Sequence, residues 1–185
     1  ELGRLGAALS DLEDAGSNLH GITAIRLAAL TGWRIGEILS LTWNNVDLEL
    51  LEASVSGKTG KRSAPISAPV ASLISGLPRF GEFIFPGRSK DKHLDYAVVR
   101  RIWAKACENA GIEDARIHDL RHGAATTGAR LGASAHILRD LLGHRTLAMS
   151  NRYVARLLDP VRDISEKVGV EIAENLARRN RDMRQ

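Results

Sequence analysis

The sequence predicts a mainly α (α+β) fold: a helical domain carrying one small three-stranded antiparallel sheet. Three observations carry this expectation. Apolar residues recur at helical spacing, as at Leu2, Leu5, Leu9 and Leu12. Between Val46 and Ile66 the period changes, and short strand-like runs flank Gly57-Lys58-Thr59-Gly60, a hairpin-turn composition. A chain of 185 residues suits one domain and is long enough to bury a sizeable core.

Taken in order, Glu1–Leu12 reads as a short helix. Asn18–Leu30 reads as a second, mostly apolar helix, stopped by Gly32, since glycine tolerates the left-handed conformation past a helix end. A third runs from Arg34 to Leu41. Val46–Leu48, Leu51–Ser56 and Arg62–Ile66 are the three expected strands. Ala68–Leu77 is helical, and Gly81–Gly87 is a loop with a short strand-like piece. Leu94–Ala110 follows as a helix with Val98, Ile102 and Ala106 on one face. His118–Leu131, Ala135–Leu142 and Leu147–Arg156 are three more. Asp159 and Pro160 form an N-cap and first-turn pair for a last helix reaching about Arg178.

Composition excludes several classes. No run of about 18 apolar residues is present, so no membrane span is expected, and no signal-peptide pattern is seen. Cys107 is the single cysteine, which excludes an internal disulfide framework and fits a reducing, cytoplasmic compartment. The net charge is only +4, but it is unevenly placed: residues 1–56 carry −5 and residues 57–105 carry +7. The basic residues comprise 20 arginines and 6 lysines. That excess suits phosphate, because a guanidinium fork matches phosphate oxygens two at a time. Aromatic residues make up 4%, which argues against a base-stacking single-strand binder.

Several polar residues sit where a core does not need them. Arg34 starts a helix between apolar stretches, so it either pairs with Glu37 at i,i+3 or faces a ligand. Lys58 tips a basic hairpin, which is either a solvated turn or an arm reaching a phosphate backbone. His118 and Arg121 share a helix face at i,i+3. His118 and His122, at i,i+4, mimic a zinc-protease helix only weakly, because no third histidine follows at a suitable place. His144 closes Leu141-Leu142-Gly143-His144. Tyr153 lies nine residues on; it and Tyr96 are the chain's two tyrosines, and Tyr153 reads either as a core-edge residue or as a nucleophile.

The ordered set Arg34, Lys58, His118, Arg121, His144 and Tyr153 resembles the catalytic domain of the tyrosine recombinases, the phage-integrase family. The stretches TGWRIGEILSLTW, SGKTGKRSAPIS, HDLRH and LLGH, followed by Tyr153, carry the resemblance across positions 31 to 153. Two departures are small. Gly123 and Ser150 stand where the family often has Thr or Ser and Thr respectively, and neither is expected to touch the catalytic set.

These residues suit phosphodiester cleavage. Tyr153 offers a phenol, which leaves more readily than an alkyl alcohol, so an ester to phosphate can form and reverse. Arg34 and Arg121 can each grip a phosphate through two hydrogen bonds, doing the work metal ions do in many nucleases. His144 can donate to a nonbridging oxygen, and His118 can serve in acid–base work near the nucleophile. Lys58 is the candidate to protonate the leaving 5′ oxygen. Glu37 is assigned to positioning Arg34. The resemblance implies a 3′-phosphotyrosyl intermediate, strand exchange with a second 5′ hydroxyl, and no metal, ATP or other cofactor.

The partners it implies are double-stranded DNA and further copies of the chain in a tetrameric synapse, with a monomer expected off DNA. Residues 1–185 then form the catalytic domain. Its last helix, about 160–179, carries Ile164, Val168, Ile172 and Leu176 and is expected to pack on its own domain or on a neighbouring protomer. The family's separate N-terminal core-binding domain is expected to be missing, leaving DNA binding weak and salt-sensitive. A phage or prophage integrase is the leading reading. A Xer-type chromosome-dimer resolvase, a type IB topoisomerase-like enzyme and a catalytically silent DNA-binding protein on the same fold are the alternatives.

Overall fold

The computed structural model describes residues 1–57, 60–89, 91–155 and 164–174. Helices α1 (Leu2–Asp14), α2 (Leu19–Thr31) and α3 (Ile35–Leu39) lead into a three-stranded sheet, β1 (Val46–Asp47), β2 (Glu52–Gly57) and β3 (Gly60–Pro65). Five helices follow: α4 (Ala68–Ser75), α5 (Tyr96–Ala110), α6 (Asp119–Arg130), α7 (Ala135–Leu142) and α8 (Leu147–Val154). Residues 164–174 are also helical. The expected fold class is therefore observed.

Local chemistry explains the ends of these elements. The Asn18 side chain accepts from the Gly21 amide at 2.8 Å, and Asp95 accepts from the Ala97 amide at 2.8 Å, each capping its helix. α2, α5 and α7 all stop at a left-handed glycine: Gly32, Gly111 and Gly143. For the last helix, the expected start at Asp159 and the expected apolar position Leu176 lie outside the described residues.

The sheet runs antiparallel in the order β1-β2-β3. Ala53 pairs with Ala64 and Val55 with Arg62, which places all four on one face. Ala53, Val55 and Ala64 are buried there. Leu51, expected in a strand, instead sits at φ 54°. The connection from β1 to β2 spans only residues 48–51. It is tightened by the Asp47 carboxylate accepting from the Glu49 and Leu50 amides at 3.0 and 2.8 Å, so Leu51 must turn the chain. The piece within Gly81–Gly87 makes single bridges, Thr42 with Phe83 and Pro86 with His93, and no continuous strand.

Two apolar clusters result. The larger joins α1 to α5 and the sheet around Ile22, Ile25, Leu27, Ile38 and Phe85, all fully buried. Each such side chain contributes about 1.5–3 kcal/mol. The smaller comprises Ala125, Ala129, Leu138, Leu142 and Tyr153, contributed by α6, α7 and α8. Helix α6 joins the two, with Leu120 in the first cluster and Ala125 in the second. The clusters meet tightly at Gly32. A Cβ there would lie 2.5 Å from Leu142 Cδ2 and 2.9 Å from Ala124 Cβ, so a side chain is excluded by both space and backbone.

Candidate active site

The site is built where α3, the β2–β3 hairpin, α6 and the α7–α8 corner converge. Its floor is the turn Thr31-Gly32-Trp33. The Thr31 hydroxyl donates to the Leu27 carbonyl at 2.7 Å and accepts from the Trp33 amide at 3.1 Å, fixing the path out of α2. The Gly32 carbonyl is then free to accept from Arg121 Nη1 at 2.8 Å. Arg121 is 3% exposed, and its Nη2 is buried with no partner among the described residues. Burial, with the nearby Arg34 charge adding to it, lowers the Arg121 pKa to about 10.

Arg34 is the N-cap residue of α3. Its amide donates to Glu37 Oε2 at 3.2 Å and its Nη1 donates to Glu37 Oε1 at 2.9 Å. It pairs with Glu37 at i,i+3, yet its side chain stays 34% exposed, leaving the rest of the fork open. Glu37 itself is buried, 6% exposed.

A third arginine completes this group. Arg62, on β3, reaches Glu37 Oε2 with Nη2 at 3.5 Å and lies over the Trp33 ring at 5.6 Å. Its guanidinium presses against Gly143, where a Cβ would come too close to Arg62 Nε for any side chain to fit without a shift. Burial lowers its pKa, while Glu37 opposes that shift. Two guanidinium groups thus share one carboxylate, with the Arg121 charge near enough for all three to influence it.

The hairpin leaves the sheet beside the same carboxylate: a Cβ on Gly57 would lie 2.6 Å from Glu37 Oε1. Lys58, the expected general acid, lies outside the described residues. Among the described residues, no group of three or more potential metal ligands converges.

The remaining expected residues line the other wall. His118 sits at the N-cap position of α6. Its ring meets His122 edge to face, with centroids 5.3 Å apart. Burial, then His122, Arg121 and Arg34, lower the His118 pKa. Tyr153 is 6% exposed, and its ring stacks on His144 at 6.2 Å and 12°. The Tyr153 hydroxyl contacts His122 Nδ1 at 2.5 Å and accepts from Arg152 Nη2 at 3.4 Å.

The family model described as the phage integrase family matches residues 5–158. The chain belongs to this family. XerC of Bifidobacterium longum, a tyrosine recombinase, is 28% identical over 147 residues, covering 70% of this chain and 41% of the relative. The integrase of Salmonella phage P22 is 25% identical over 146 residues, covering 71% and 38%. The chain thus spans about two fifths of the length of these curated relatives. The fold is shared with the integrase of transposon Tn1549 solved in complex with transposon right end DNA. That match has a TM-score of 0.72 at 18% identity and covers 89% of this chain and 63% of that one.

Three residues of this family member escape a reading of sequence alone. Arg62 and His122 are two of them. The third is Ser150, expected to stand clear of the site but fully buried and hydrogen-bonded to His144 Nδ1 at 2.7 Å. The reason is geometric: α8 turns Ser150 back under the His144 ring. A serine hydroxyl donating to Nδ1 leaves the proton on Nε2, the nitrogen free to donate elsewhere. Gly123, the other departure, has open space around it: a Cβ there would meet nothing within 4 Å.

Burial, with Arg121 and Arg152 adding to it, lowers the His144 pKa from its ordinary 6.5 to about 4. The unfolded chain therefore binds a proton at His144 in a pH range where the folded chain does not. Stability falls as pH drops from 6.5 through 4, and is full above 6.5. The melting temperature is expected to decline over that window, and His144→Gln is expected to flatten the decline. His118, shifted in the same direction, supplies part of the remainder. Parallel melting-versus-pH curves for the two proteins would count against this origin.

Proposed function

We propose that this chain cuts and rejoins DNA strands in site-specific recombination of the integrase type, with Tyr153 as the nucleophile. The observation that carries the reading is the charge balance. Arg34 and Arg62 share one carboxylate, Glu37, while Arg121 is anchored only to the Gly32 carbonyl, and one buried Arg121 nitrogen has no partner among the described residues. Buried cations lacking counter-charge call for an anion of matching geometry, and a phosphodiester supplies it.

Arg34 and Arg121 hold the two nonbridging oxygens, with Glu37 keeping Arg34 in place. His144 donates its Nε2 proton to one of them. Arg62 holds Glu37 from behind. Tyr153 attacks phosphorus, and Lys58 protonates the departing 5′ oxygen. The products are a 3′-phosphotyrosyl chain and a free 5′ hydroxyl. Attack by a 5′ hydroxyl from another strand reverses the chemistry and exchanges partners. The ester conserves the bond, so no ATP is required. A double-stranded site is the substrate, and the bacterial cytoplasm is the compartment where it is met. Incubation with a duplex nicked near the cleavage point, which loses the released 5′ fragment, traps the covalent intermediate and tests the reading.

Synapsis needs copies of the chain to hold one another. The helical residues 164–174 expose Ile164, Val168 and Ile172 in a stripe. A groove of about 910 Å³ is lined by Leu2, Leu30, Trp103, Ile112, Leu131 and Leu141. The stripe of one protomer docking into the groove of the next would bury both and link copies into a tetrameric synapse. Removal of the residues after Asp159 is expected to lower the mass of DNA-bound assemblies while preserving single-site binding. Equal assembly masses before and after removal would contradict the docking.

A further inference from the structure

We infer that His122, and not His118, is the base that takes the phenol proton from Tyr153. The inference rests on the strand-cleavage reading above and adds to it the identity of the proton acceptor. Its ground is contact. Among the described residues, the only histidine nitrogen within hydrogen-bond reach of the Tyr153 hydroxyl is His122 Nδ1, at 2.5 Å. His118 reaches the tyrosine only through His122, its ring lying edge to face on that imidazole. His144 stacks on the Tyr153 ring and engages Ser150 through its Nδ1.

Two further features favour proton transfer to this nitrogen. Arg152 Nη2 approaches the same hydroxyl at 3.4 Å, and its guanidinium carbon lies 5.2 Å from the ring centroid, so a cation stands ready as the phenolate forms. The flanking histidines, His118 and His144, are both biased toward their neutral forms by burial and by the arginines. Neither flanking histidine therefore sets a second positive charge beside the proton acceptor. Among the described residues, His118 meets the His122 ring edge to face, the Tyr153 hydroxyl contacts its Nδ1, His144 lies near enough to feel its charge, and Arg152 approaches the same hydroxyl from α8.

The step balances. The Tyr153 Oη–P bond forms as the P–O5′ bond breaks. The phenol proton moves to His122 Nδ1, and the departing oxygen takes its proton from the general acid assigned to Lys58. On rejoining, the attacking 5′ hydroxyl gives its proton back to the Lys58 amine, and His122 returns one to the leaving tyrosine.

The test uses the full chain and the nicked duplex, with adduct formation timed in a single turnover. His122→Asn keeps an acceptor atom near the Nδ1 position but has no useful basicity. His122→Ala opens a half-buried space beside the phenol that added imidazole can enter. Both variants are expected to slow adduct formation by about 10²–10⁴. Imidazole is expected to restore His122→Ala in proportion to its neutral form and to leave His122→Asn unchanged. A role limited to holding Tyr153 in place predicts a His122→Asn rate close to that of the unsubstituted chain. That result overturns the assignment, as does a His122→Ala rate that imidazole fails to raise. No adduct from the unsubstituted chain indicts the strand-cleavage reading instead, a distinguishable failure.

Discussion

Arg121→Ala is expected to slow adduct formation on a nicked duplex by about 10²–10³, the usual loss for one preorganised donor to a developing oxyanion. Several properties of Arg121 argue for an effect of this size. The guanidinium is set in advance: it is already buried, already anchored to the Gly32 carbonyl at 2.8 Å, and leaves Nη2 without a partner among the described residues. Burial, with the Arg34 charge adding to it, lowers its pKa to about 10, so the cation is held at a cost in the free protein. A bound phosphate would offset that cost, and the more so as charge builds on the nonbridging oxygens. Arg121→Lys keeps the charge but loses the fork, so it is expected to recover only a small part of the rate. Thermal melting without DNA separates this from a folding defect. Little loss of melting temperature is expected in Arg121→Ala, since the cation it removes is poorly compensated in the free protein. Cleavage by Arg121→Ala at close to the parent rate would remove Arg121 from the phosphate site.

Much of this site is legible in the sequence because its parts are local. Arg34 and Glu37 meet within one short helix, and His118 and Arg121 within one turn. Spacing alone therefore places each pair on a common face. The residues that escape act across elements. Arg62 looks like one more cation in a basic hairpin. Only the register, with Val55 opposite Arg62 and Ala53 opposite Ala64, turns it toward the buried face. A signal does exist: Arg62 stands two residues from Ala64, an apolar position, and so on the core side of an alternating strand. In sequence, His122 stands out only as a metal-ligand mimic beside His118, because spacing cannot show that α8 brings Tyr153 onto it. Ser150 gives no signal, because its contact with His144 depends on the corner between α7 and α8.

The fold shows the same division. Helix α2, bounded by Asn18 and Gly32, is readable because its end signals are chemical and local. The turn at Leu51 is not, since the short link from β1 to β2 forces a positive φ on a residue with no preference for it. The partition of the core is also hidden. Tyr153 belongs to the small cluster with Leu138 and Leu142, and the sequence offers no reason to separate those residues from the main core.

Tyr153→Phe is expected to have the largest effect of any single change, because it removes the atom that forms the bond. The phenyl ring keeps its place against His144 and within the cluster of Leu138 and Leu142. Among the described residues, only the hydroxyl contacts to His122 and Arg152 are lost. A change of about 0.5–1.5 kcal/mol in stability is the scale for such hydrogen bonds, far too small to unfold a domain. The variant should therefore bind duplex as the parent does and form no covalent complex. The chain's other tyrosine, Tyr96, is exposed at the start of α5 and provides an internal control. The most direct measurement is denaturing electrophoresis of the nicked-duplex reaction for the parent and Tyr153→Phe, with peptide mapping of any adduct. A nucleophilic Tyr153 predicts a parent adduct carrying DNA on that residue and none from the variant. An adduct from Tyr153→Phe, or a parent adduct mapped to Tyr96, would contradict it.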